Sequence, residues 1–98
     1  MQAEDIPANT KYIYVTVTCH NKTFVISCGD GTQRLKWLAH VAIARWDEEN
    51  NQGWKWLGMP TQVLVGEDEL DLGSVIKDVL QNGEHIVVHT SLDPSETR

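Results

Sequence analysis

Tyr12-Ile13-Tyr14-Val15-Thr16-Val17-Thr18-Cys19, then His20-Asn21-Lys22, then Thr23-Phe24-Val25-Ile26-Ser27-Cys28 is the stretch from which the architecture can be read. In an extended chain Ile13, Val15, Val17 and Cys19 fall on one side, and Tyr12, Tyr14, Thr16 and Thr18 on the other. Period-two alternation of β-branched and aromatic residues predicts a strand. His20-Asn21-Lys22 reads as a tight turn, after which Phe24, Ile26 and Cys28 again share one side. Two such strands joined by a short turn form a β-hairpin with one apolar face.

Downstream, Gly29-Asp30-Gly31 breaks the sheet and Thr32 is placed to cap a helix running to about Glu48 or Glu49. At helical spacing Leu35, Leu38, Ala39, Ala42, Ile43 and Trp46 gather on a core-facing stripe, while Trp37 and Val41 form a second strip on the flank. Asn50 to Gly53 ends the helix, and Trp54 to Pro60 is a tryptophan-bearing connection. Gln62 to Val65 reads as a short strand and Gly66-Glu67-Asp68-Glu69 as a charged turn. Leu70 to Leu80 reads as a short strand followed by a helical turn, and His85 to Thr90 as the last strand. Residues 1–10 and 92–98 are polar and read as flexible tails around one domain over 11–91.

The 98 residues suffice for one small domain, and 41% hydrophobic with 22% charged residues is globular composition. The formal charge of −6 disfavours nucleic acid and anionic membranes as partners. No apolar run approaches the roughly 20 residues of a membrane span, and the acidic start Met1-Gln2-Ala3-Glu4-Asp5 lacks a hydrophobic leader. The expectation is a cytoplasmic, or nuclear, monomer with Cys19 and Cys28 reduced.

The order is thus hairpin, helix, strand, short turn element, last strand. With Gly58-Met59-Pro60, then Val63-Leu64-Val65-Gly66, a polar turn, Leu70 and Ile86-Val87-Val88, the second half resembles that of ubiquitin. The resemblance spans roughly residues 12–90 and implies an α+β, ubiquitin-like β-grasp fold: a mixed β-sheet packed on one main helix. The chain departs from ubiquitin in its longer, tryptophan-bearing connection, in a shorter spacer after Pro60, and in ending Ser95-Glu96-Thr97-Arg98 rather than Gly-Gly. The resemblance implies a non-catalytic protein-interaction module or adaptor. A modifier or sulfur carrier would require processing of the C-terminus, and a cytoskeletal or ciliary assembly subunit that binds tubulin would want a basic surface.

Catalytic and metal chemistry find little support. Cys19, His20, Cys28, His85 and His89 lack zinc-site spacing, and alternation sends both cysteines inward. Glu67, Asp68, Glu69 and Asp71 lack the ligand pattern of a calcium loop and read as a solvated turn. Ser74 and Lys77 match Ser-x-x-Lys by chance, and Gly29-Asp30-Gly31-Thr32 is a turn and cap rather than a phosphate cradle. Neither a catalytic residue, a cofactor nor a metal ion is expected. Binding is expected instead on the sheet face turned away from the helix, where the resemblance and alternation both place Leu64, Val87 and His89, with Lys22 at the patch edge. Trp54 and Trp56 are a second candidate surface, although folding back over Trp37 and Val41 as a satellite core is the favoured reading.

Overall fold

A computed structural model describes residues 12–93. The chain forms β1 (Tyr14–Cys19), β2 (Lys22–Ser27), α1 (Leu35–Trp46), a short α2 (Trp54–Leu57), β3 (Pro60–Val65), β4 (Asp68–Leu70), a short α3 (Ile76–Val79) and β5 (His85–Thr90). The sheet runs β2-β1-β5-β3-β4. β1 and β5 are parallel, and the other neighbours are antiparallel. The α+β architecture expected from the sequence is therefore present: a mixed five-stranded sheet with one main helix. The expected tail 1–10 and residues 94–98 of the expected C-terminal tail lie outside the described residues.

The core is the alternation of the strands meeting the helical stripe. Val15, Val17 and Cys19 of β1, Ile26 of β2, Val63 of β3, and Ile86 and Val88 of β5 are fully buried against Leu35, Leu38, Ala39, Ala42 and Ile43 of α1. No polar or charged side chain is buried among the described residues, so desolvation of this face goes unopposed. Trp46, expected in the core, is only half-buried, and Val65 packs at the core margin.

Both helix ends differ from the sequence reading, for reasons of long-range pairing. Thr32 is not the cap: its amide and hydroxyl both donate to Asp30 Oδ1, at 3.3 and 2.9 Å. The first helical amides donate instead to a distant segment, Leu35 N to Ser74 O and Lys36 N to Leu72 O, while Ile76 N and Lys77 N return bonds to Gln33 O and Gly31 O. This two-way zip satisfies donors that would otherwise need a capping side chain, and it delays the helix to Leu35. At the other end Asp47 turns its carboxylate to the amides of Glu49, Asn50 and Gln52, which stops the helix at Trp46 rather than Glu48. Strand bounds move less. β1 begins at Tyr14 rather than Tyr12, although Ile13 still pairs with Cys28 and Gly29, and β3 begins at Pro60, with a register shift against β5 before Gln62.

The connection expected as irregular contains α2, which lies on the C-terminal half of α1. Gly53 makes that approach possible. Its amide donates to Ala44 O at 3.2 Å, and a Cβ there would collide with the Ile43 carbonyl oxygen. Gly58 ends α2 at φ 78 and ψ −130, a conformation open to glycine alone. At the border of the sheet Arg45 extends from α1 to the Val25 carbonyl of β2, Nη1 to O 3.4 Å.

Gly53 has an ordinary φ, so replacing it tests the steric argument. Gly53→Ala is expected to destabilise the domain by roughly 1–3 kcal/mol through overpacking, read as a lowered Tm by circular dichroism. An unchanged Tm would mean that α2 does not depend on this close contact.

Candidate functional site

Alternation on the strands places Thr23, Val25 and Ser27 of β2, Tyr14, Thr16 and Thr18 of β1, His85, Val87 and His89 of β5, Gln62 and Leu64 of β3, and Glu69 of β4 on the sheet face opposite α1. Pairing register turns this list into rows. Thr23, Thr18, Val87, Leu64 and Glu69 stand side by side across all five strands. Leu64 and Val87 are thus direct cross-strand partners at the middle of the open face. Both are half-buried, on the side of the sheet away from the core cluster. His89 lies opposite Gln62 and is exposed.

Polar side chains also cross-link the strands. The Thr18 hydroxyl lies 2.9 Å from that of Thr23 and 2.7 Å from His85 Nε2, linking three strands. At the hairpin tip His20 Nε2 is 2.6 Å from Thr90 Oγ1, whose own proton goes to the Leu92 carbonyl at 2.7 Å. With that hydroxyl proton committed, His20 must be the donor, which fixes its tautomer as Nε2–H.

Lys22 is not at the edge of this face. The hairpin turn is two residues long, His20 and Asn21, so Lys22 pairs with the inward-facing Cys19 and points to the helix side. Its ammonium donates to the Trp46 carbonyl at 2.8 Å, sits 4.8 Å from the Trp46 ring centroid and lies 3.5 Å from Glu48. A cation here satisfies the helix C-terminus and its dipole. Asn21 adds an acceptor for the Trp46 indole at 3.2 Å. Lys22 therefore fastens the hairpin to α1 and is far from Leu64 and Val87 in role and in side.

The tryptophans of the connection do not form a satellite core. Trp54 and Trp56 remain 52% and 47% exposed, while Leu57 is the residue of α2 that enters the core. Trp37 and Val41 pack against the core from α1. A four-residue helix has one buried side, and Leu57 occupies it. Met59 and Leu92 are also exposed nearby, with Leu92 N bonded to Leu57 O and Ser91 N to Met59 O.

Cys19 and Cys28 are buried free thiols at opposite ends of the hairpin ladder. Burial pushes both thiols up to about 11. Asp30 is held below the usual carboxylate range, first by the Thr32 hydroxyl and amide. Among the described residues no group of three or more His, Cys, Asp or Glu side chains is arranged to hold a metal ion. No described helix is long and apolar enough to cross a membrane.

Sequence reasoning set Thr18 on this side of the first strand but did not name Thr18, His85, Thr23 or Glu69 as part of the binding face. The alternation that located Leu64 and Val87 carried the first three. Glu69 needed β4 to be recognised as a strand rather than a turn.

No family model matches the chain, and a search of curated proteins finds no match. Solved structures do match. The solution structure of the ubiquitin-like domain of Arabidopsis thaliana protein At2g32350 aligns with 95% of this chain and 89% of its own, at TM-score 0.57 and 19% identity. That of the N-terminal ubiquitin-like domain of the 4931431F19Rik protein aligns with 95% and 88%, at TM-score 0.56 and 10% identity. The chain has the ubiquitin-like fold. At these identities the likeness resides in topology: the ubiquitin-like hairpin, helix and parallel closing strand are kept on a different set of side chains.

Two outcomes check the placement of these residues. Leu57→Ala should cost roughly 2–5 kcal/mol, as for other buried leucines, and Trp54→Ala or Trp56→Ala clearly less, in urea unfolding. Equal losses would return the tryptophans to the core. The thiols should resist iodoacetamide at pH 8 until the domain is unfolded. Because their folded pKa values lie above the unfolded value of 9.0, the stability they confer is complete below pH 9 and is lost as pH rises toward about 11.

Proposed function

We propose that the domain is a non-catalytic protein-interaction module that receives its partner on the open face of the sheet. The observation that carries this reading is the adjacency of Leu64 and Val87, half-buried neighbours at the middle of a face on which no element of the described chain packs. A paired apolar anchor at the centre, ringed by Thr18, Gln62, His85 and His89, has the anatomy of a small interface: an apolar middle and a polar rim. Burying one such aliphatic side chain fully in a partner contributes at most about 1.5–3 kcal/mol, which fits weak, reversible capture. As an adaptor of this kind the domain needs no bound group.

Exposed Trp54, Trp56, Met59 and Leu92 favour a second contact surface on the α2 side, since tryptophan is enriched at binding hot spots.

Affinity capture with the wild-type chain and with Leu64→Glu tests the open face. The variant should keep its amide spectrum, because Leu64 lies outside the core, and lose the proteins that the wild type retains. Unchanged capture by a folded Leu64→Glu would remove the sheet-face reading, and loss only on Trp56→Ala would transfer the function to the α2 side.

A further inference from the structure

The open face carries an unusual charge arrangement. Among the described residues its strands present no lysine or arginine. Lys22 is fastened to the Trp46 carbonyl and Glu48 on the helix side. Arg34 donates to the Gly73 carbonyl at 2.6 Å, Lys36 rises from α1, and Arg45 extends from α1 to the Val25 carbonyl at the β2 edge, the border opposite β4. Lys55 lies over the Trp54 ring and Lys77 belongs to α3. The face has one carboxylate, Glu69, directly across from Leu64 in the β3–β4 register. Glu69 is exposed, and no cation among the described residues pairs with it. Glu67 stands exposed in the adjoining turn, and the chain as a whole carries −6.

From this we infer that the partner of the open face is a basic–apolar surface: an aliphatic side chain seated on Leu64 and Val87, with a lysine or arginine displaced toward β4 to meet Glu69. The inference rests on the docking reading above and adds the chemistry of the occupant. Register sets the geometry. Val87, Leu64 and Glu69 occupy consecutive strands, so the cation must stand about 5 Å beyond the apolar anchor, one strand spacing. On the far side of the anchor Thr18 and Thr23 offer hydroxyls already engaged with each other and with His85, and beyond them Arg45 reaches the Val25 carbonyl, so the β2 border holds no carboxylate to attract a cation. A partner rimmed with carboxylates would meet Glu69 and the net charge of the chain with like sign. One rimmed with cations gains in approach rate and register.

The test uses the full chain, isotopically labelled, and two synthetic helical peptides with the same leucine anchors, one flanked by lysines and one by glutamates. Titrations run at pH 8, where ordinary histidine adds no charge, in low salt. The lysine peptide should shift the amides of Thr18, Leu64, Glu69 and Val87 and bind about fivefold tighter than the glutamate peptide, the order expected of an exposed charge contact. Glu69→Lys should abolish or reverse that preference. Asp78→Lys, the same change of net charge placed on α3, should leave most of it. Equal binding of both peptides, no binding of the lysine peptide, shifts confined to other surfaces, or equal effects of Glu69→Lys and Asp78→Lys would each overturn the inference. A natural partner lost on Leu64→Glu but indifferent to Glu69→Lys would overturn the charge assignment while leaving the docking reading intact.

Discussion

β1 and β5 lie side by side and parallel at the centre of the sheet, joining the first strand of the fold to its last. Parallel neighbours cannot be connected by a tight turn, so everything between them must cross from one edge of the sheet to the other. That crossing contains α1, whose apolar stripe covers one face of the sheet, and β3 with β4, which extend it on the far side. The bare face is a consequence of the same arrangement. One long helix is available, and it can cover only one side.

The cores of the strands and the stripe of α1 were legible because they depend on local period. Val15, Val17, Ile86 and Val88 are buried, and Leu64 and Val87 lie on the opposite side, as alternation requires. What was not legible depended on partners remote in sequence. The start of α1 is set by carbonyls of Leu72 and Ser74, which no local cap signal encodes. The exposure of Trp54 and Trp56 follows from α2 turning Leu57 into the core, an orientation invisible until α2 is laid on α1.

Lys22 shows how a one-residue difference in a turn changes the assignment of a side chain. Read as part of a three-residue turn, it falls at the edge of the open-face patch. In a two-residue turn it pairs with Cys19 and joins the helix side. There it closes the C-terminus of α1 by hydrogen bond, ion pair and ring contact together. The hairpin tip and the helix end are thus one structural unit, and the open face is built on the other side of it.

The two borders of the sheet are unequal. β4 has three residues, whereas β2 has six and carries the row of unpaired backbone groups that could template another chain. Arg45 reaches across to the Val25 carbonyl in the middle of β2 and sets a charged side chain on that row. A strand from a neighbouring molecule would have to displace the guanidinium before it could add to the sheet. The long border therefore presents a cation where an incoming strand would first seek a carbonyl, a device that blunts an exposed sheet edge.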